Sequence, residues 1–161
     1  MKHLKDILIS ILIILILIGI DQLTKYLAFK NLDEGITYKA IPHLFKFTLV
    51  RNDGAAFSML EGKQWFFYII TILALGGFGF LMKDVDIINM PIFTVSLCLI
   101  ISGTIGNFID RVIYSSVRDF LTFDFMNFAI FNFADMCLTI GMILLVIDFI
   151  FGKTGKLWTK A

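Results

Sequence analysis

IISGTIGNFIDRVIYSSVRDFLTFDFMNFAIFNFADMCLT, residues 100–139, is the stretch on which the architecture turns. It sets Asn107, Asp110, Arg111, Arg118, Asp119, Asp124, Asn132 and Asp135 among apolar and aromatic residues, in a chain that is 58% hydrophobic. An ionisable side chain at the centre of a bilayer helix costs roughly 2.5–3.5 kcal/mol, so such residues face a polar cavity or a partner. The flanks make the surroundings lipid. Mean hydropathy is +0.88, and uninterrupted apolar runs approach the roughly 20 residues that span the hydrocarbon layer as a helix. The 161 residues suggest one domain, 1–161. The expected fold is an all-α integral membrane protein with four transmembrane helices at about 5–29, 65–82, 87–111 and 133–151. Between them lie outer segments at about 30–64 and 112–132, the first with a small β-rich element.

Upstream of the centre, Ile87–Ile109 is a charge-free stretch of 23 residues with Pro91 in its first turn, where a missing N–H is tolerated. Gly103, Asn107, Asp110 and Arg111 fall on one helical stripe. Gly103 allows close packing, and the polar three point into the bundle or, alternatively, anchor a helix end at the interface. Downstream, Asn132 and Asp135 share a face as the fourth helix begins, with Thr139 one turn on. Trp65–Met82 carries no charge and reaches about 27 Å as a helix.

The N-terminal MKHLKD and the run Ile7–Ile20 look like a secretory signal, but no small-x-small cleavage site follows, so the segment reads as an uncleaved first helix. Lys2 and Lys5 before it and the lysines of the tail FGKTGKLWTKA favour cytoplasmic termini, although a raw count of Lys and Arg does not decide the side. Asp21 and Lys25 sit one turn apart, either as a solvated pair at a helix end or as support for a site. In the polar segment 30–64, Phe45, Phe47 and Leu49 alternate with Lys46, Thr48 and Val50 at a strand period. Asn52-Asp53-Gly54 then reads as an ordinary hairpin turn.

A net charge of +1 gives nucleic-acid binding no electrostatic support. Cys98 and Cys137 lie in apolar runs and read as small buried residues. His43 is isolated and no H-E-x-x-H pattern occurs, which disfavours a zinc hydrolase. A Ser–Lys dyad from Ser58 and Lys63 can be drawn, but no spacing selects it. Asp119 and Asp135 are different: they lie at the same membrane level on adjacent antiparallel elements. Two close carboxylates share one proton, so one can activate water while the other protonates a scissile carbonyl. The same acids also suit a small proton-coupled transporter subunit, or interfacial anchors in a scaffold protein.

Taken together in order, DQLTK (21–25), RNDGAAFS (51–58), GNFIDR (106–111), VRDF (117–120) and FNFAD (131–135) resemble the bacterial lipoprotein signal peptidases, the signal peptidase II family. The resemblance covers nearly the whole chain. It implies a multi-pass aspartic endopeptidase of the bacterial inner membrane that removes the signal peptide of prolipoproteins, on the amino side of a diacylglyceryl-modified cysteine. Carried over, its catalytic pair falls on Asp119 and Asp135. Its supporting residues fall on Asp21, Lys25, Asn52, Gly54, Asn107, Asp110, Arg111, Asn132 and Ala134, while Arg118 and Asp53 are left without a role. It further implies no metal or organic cofactor, partners limited to lipid-modified prolipoproteins and membrane lipids, action as a monomer, and a site near the extracytoplasmic face.

Overall fold

The computed structural model describes residues 2–54 and 63–152. Its helices are α1 (Lys2–Asn31), α2 (Gln64–Leu81), α3 (Pro91–Tyr114) and α4 (Phe133–Phe151). Each is long and apolar enough to cross a membrane. Its strands are β1 (Thr37–Ile41), β2 (Phe45–Asn52) and β3 (Val117–Phe123), which form one antiparallel sheet in the order β1-β2-β3 at one end of the bundle.

α3 is the helix around which the others pack. The buried share of its apolar window is 61%, against 17%, 6% and 22% for the other three, which turn long aliphatic faces outward. Close approach of α4 to α3 depends on glycine. A side chain at Gly103 would strike the Ala134 carbonyl and Leu138, and one at Gly141 would lie 2.8 Å from Ile100 and 3.0 Å from the Ser96 carbonyl. Cys98 and Cys137 are buried and unpaired, and Cys98 packs with Ile14 and Ile101.

α3 begins at Pro91 rather than near residue 87. The Asp86 carboxylate accepts the backbone N–H groups of Ile88 and Asn89 at 3.1 and 2.9 Å, which holds the approach as a turn until proline opens the helix. The helix also runs on past Arg111 to Tyr114, where Ser115 takes a left-handed conformation (φ 56°) and its N–H caps Arg111.

The sheet departs from the hairpin expected at Asn52–Gly54. The tight connection lies instead between β1 and β2, through His43 at φ 63°. β2 then continues to Asn52 because its other edge is paired with β3, Val50 opposite Asp119 and Asn52 opposite Val117. β3 lies in the segment expected to be an outer loop. Val117, Arg118, Asp119 and Phe120 are all buried, since both faces of the strand are covered. A strand of that kind carries no alternation of polar and apolar residues to announce it. Leu49, Phe120 and Ala28 form the small core that seats the sheet on α1.

Candidate active site

Asn132 ends an extended segment and caps α4. Its side-chain oxygen accepts the Asp135 N–H at 3.0 Å, and the Asp135 carboxylate accepts the Asn132 N–H at 3.0 Å, a reciprocal capping box. This local device fixes Asp135 in the first turn of the helix. It also frees the Asn132 amide, which donates to Asp119 Oδ1 at 2.6 Å and to Asn107 Oδ1 at 3.1 Å.

Asp119 is 3% exposed and is delivered by β3. Its second oxygen accepts the Asn52 amide at 2.9 Å. Asn52 is aimed by a turn in which Gly54 N–H donates to Asn52 Oδ1 at 3.0 Å. Asp135 is partly buried, and its Oδ1 accepts the Asn107 amide at 2.7 Å. Each of the four carboxylate oxygens therefore accepts one N–H, which leaves lone pairs for a proton or a water. Burial, and then the charge of Asp135, push the Asp119 carboxyl up to about 7, against the opposing pull of its two asparagine donors.

Behind this pair lies a buried ionic cluster. Lys25 Nζ is 2.9 Å from Asp21, 3.0 Å from Asn107 Oδ1 and 3.7 Å from Asp110. Asp21 and Lys25 are 1% and 0% exposed, so they are interior support and not a solvated helix end. The other Asp21 oxygen accepts the Ala134 N–H at 2.9 Å, which ties α1 to the first turn of α4. Asp110 is engaged by Arg118. Arg111 turns away from that cluster: Nη2 donates to the Gly54 carbonyl at 3.2 Å and the guanidinium lies over Phe67, 4.6 Å from the ring centroid. Its buried Nε has no hydrogen-bond partner.

All eleven residues singled out in the sequence thus gather at the sheet end of the bundle. Asn52, Gly54, Asn107, Arg111, Asp119 and Asp135 line one cavity of about 760 Å³ that continues between α2, α3 and α4 past Thr71, Thr104 and Thr139. Asp124 does not join them, because it pairs with Lys46 at 3.1 Å and accepts the His43 N–H at 3.0 Å. Ser58 lies outside the described residues. Among the described residues no group of three or more His, Cys, Asp or Glu is placed to hold a metal ion.

Three residues of the site went unread in the sequence. Gln22 donates to Asp21 at 3.0 Å and to the Gly106 carbonyl at 3.1 Å, and it accepts from Arg118 at 3.0 Å. It neighbours Asp21 in the chain, so helical spacing does not place it on the same face. Gly106 is needed because a Cβ there would lie 2.5 Å from Asp21 Oδ2. Arg118 stood without a role, and only tertiary contact supplies one.

The signal peptidase (SPase) II family model matches residues 13–151. The lipoprotein signal peptidase of Latilactobacillus sakei subsp. sakei is 45% identical over 133 residues, 83% of this chain and 87% of that relative. The lipoprotein signal peptidase of Listeria monocytogenes serotype 4a is 41% identical over 138 residues, 84% of this chain and 89% of the relative. Among solved structures, a bacterial membrane enzyme determined by the in meso method at 2.3 Å resolution superposes with a TM-score of 0.81 at 39% identity, covering 91% of this chain and 90% of that one.

Proposed function

Since the chain belongs to the signal peptidase II family, we propose that Asp119 and Asp135 are the catalytic pair of this membrane aspartic peptidase. It removes signal peptides from lipid-modified prolipoproteins, cleaving on the amino side of the diacylglyceryl cysteine. The observation that carries the assignment is that the two carboxylates line one cavity, each oxygen already held by one N–H donor.

Below about pH 7 Asp119 holds the proton, and Asp135 is the base. Asp135 takes a proton from water as the water oxygen attacks the scissile carbonyl carbon, while Asp119 gives its proton to the carbonyl oxygen. The resulting diol collapses: Asp135 returns its proton to the amide nitrogen as the C–N bond breaks, and a diol hydroxyl returns one to Asp119. Neither step puts charge on the substrate, and the single negative charge of the pair only passes between Asp135 and Asp119, in a cavity largely lined by apolar side chains. Arg111 Nε, a buried donor without a partner, is available to a carbonyl of the bound peptide.

The sheet end faces the extracytoplasmic side of the bacterial inner membrane, with both termini cytoplasmic; Lys2 and Lys5 at the start of α1 support this orientation. The substrate's acyl chains stay in the bilayer beside the groove between the helices. In the transporter reading the acids would sit near the midplane, whereas here they cluster at one end of the bundle.

The test is cleavage of a purified diacylglyceryl-modified prolipoprotein in detergent or lipid, beside its unmodified form. The expected result is signal-peptide release from the lipidated form only, insensitive to chelator and absent in Asp119→Asn and Asp135→Asn. Substantial activity in either folded variant removes that residue from the mechanism.

A further inference from the structure

Arg118 lies directly before Asp119 on β3 and is 5% exposed, yet it is not part of the cavity wall. Its guanidinium grips Asp110 on α3 as a fork, Nη2 to Oδ1 at 2.8 Å and Nε to Oδ2 at 3.1 Å. Its backbone N–H donates to the same Oδ2 at 2.9 Å. One carboxylate thus holds both the main chain and the side chain of the residue adjoining Asp119. Gln22 of α1 accepts from Nη2 at 3.0 Å, and the guanidinium also lies over the Tyr114 ring, 4.6 Å from its centroid.

The cluster behind the dyad is balanced: Asp21 and Asp110 against Lys25 and Arg118. Without Arg118, Asp110 keeps only Lys25 as a cation, at 3.7 Å. Lys25 would be drawn toward Asp110 and away from Asn107 Oδ1, which it holds at 3.0 Å. Asn107 in turn holds Asp135 at 2.7 Å. We infer that Arg118 is a positioning residue for both carboxylates, acting on Asp119 through the backbone of β3 and on Asp135 through Asp110, Lys25 and Asn107. The inference rests on Asp119 and Asp135 being the catalytic pair.

Among the described residues, the charged and titratable groups around the pair are Asp21 and Lys25 from α1, Tyr68 from α2, Asp110 and Arg111 from α3, Cys137 from α4, and Arg118 itself. Removing a cation from this set makes the Asp119 carboxyl on β3 harder to ionise, so the alkaline limb of kcat moves to higher pH.

Arg118→Gln is expected to lower kcat by roughly 10- to 100-fold, the scale of a misplaced reacting group. KM should stay within about 2-fold, because no contact with bound peptide is lost. The alkaline limb should rise by about half a pH unit. Arg118→Lys restores the charge without the fork, so it should return the limb toward wild type while kcat stays low. The Arg118→Gln, Asp110→Asn double variant should lose no more than the worse single one, whereas independent roles would multiply. Unchanged kcat and pH limb in Arg118→Gln overturn the inference. If that variant does not fold, Arg118→Lys decides: wild-type kcat in Arg118→Lys overturns it. Asp119→Asn run in parallel separates the layers, since activity there defeats the catalytic pair itself, and an inactive Asp119→Asn beside a wild-type-like Arg118→Gln defeats the inference alone.

Discussion

At the scale of the residue, Asp119 carries a pH signature with a definite sign. Burial and the neighbouring Asp135 raise its folded pKa to about 7, above the ordinary carboxylate value. Below about pH 4 both folded and unfolded chains hold this proton. As pH rises to 7 only the unfolded chain releases it, so the fold loses stability, and above 7 the loss is constant. Asp119→Asn abolishes this dependence, at a pH-independent cost because its amide meets the Asn52 and Asn132 donors. The difference in unfolding free energy, variant minus wild type, is therefore expected to grow in the variant's favour between pH 4 and 7 and then level, by at most about 4 kcal/mol, and the Tm difference follows it. Thermal unfolding across that range in one detergent measures it, and a flat difference contradicts it. In the proposed chemistry the same proton makes kcat of the wild type fall as pH passes about 7.

At the scale of the element, the α3–α4 contact sets where Asp135 stands. Gly103 lies against the Ala134 carbonyl, one residue from Asp135, while Gly76 on α2 has open space around it. Gly103→Val forces the helices apart and is expected to cost on the order of 1–3 kcal/mol, together with a fall in kcat of about 10-fold or more. Gly76→Ala meets nothing and is expected to leave kcat unchanged and Tm equal or slightly higher. Thermal unfolding beside the cleavage assay tests both; a Gly103→Val enzyme with wild-type kcat would show that the close approach does not govern the site. The capping box of α4 is the complementary device. It lies within six consecutive residues, FNFADM, yet the sequence showed only Asn132 and Asp135 sharing a face as the helix begins, just as it showed the glycine contact only as a small residue on a helix face.

At the scale of the whole molecule, the Lys25–Asp21 pair joins three helices, since Lys25 of α1 touches Asn107 and Asp110 of α3, while Asp21 of α1 holds Ala134 of α4. Breaking a buried ion pair by removing one partner typically costs about 3–5 kcal/mol, because the other charge stays buried. Lys25→Met is expected to destabilise on that scale, and adding Asp21→Asn should recover part of the loss by removing the stranded charge. Equal Tm values for the single and double variants would sink this account of the cluster.

What the sequence determined by itself is whatever is written locally. Four helices follow from run length, because a backbone in lipid must satisfy its own hydrogen bonds and roughly 20 apolar residues are needed to cross. The eleven polar and small residues of the proposed site were legible as misplaced polarity in an apolar chain, or through the family resemblance. Tertiary structure decided what depends on partners far along the chain. β3 exists as a strand because β2, some 70 residues earlier, offers it an edge, and its two covered faces erased the period that would have marked it. Whether Asp21 and Lys25 met water or protein depended on α3 and α4 closing over them. Arg118 and Gln22 gained their contacts only when α1, α3 and β3 met at one end of the bundle. A side chain's charge is a property of the sequence, but the energy of burying it depends on which neighbours the fold brings within hydrogen-bonding distance.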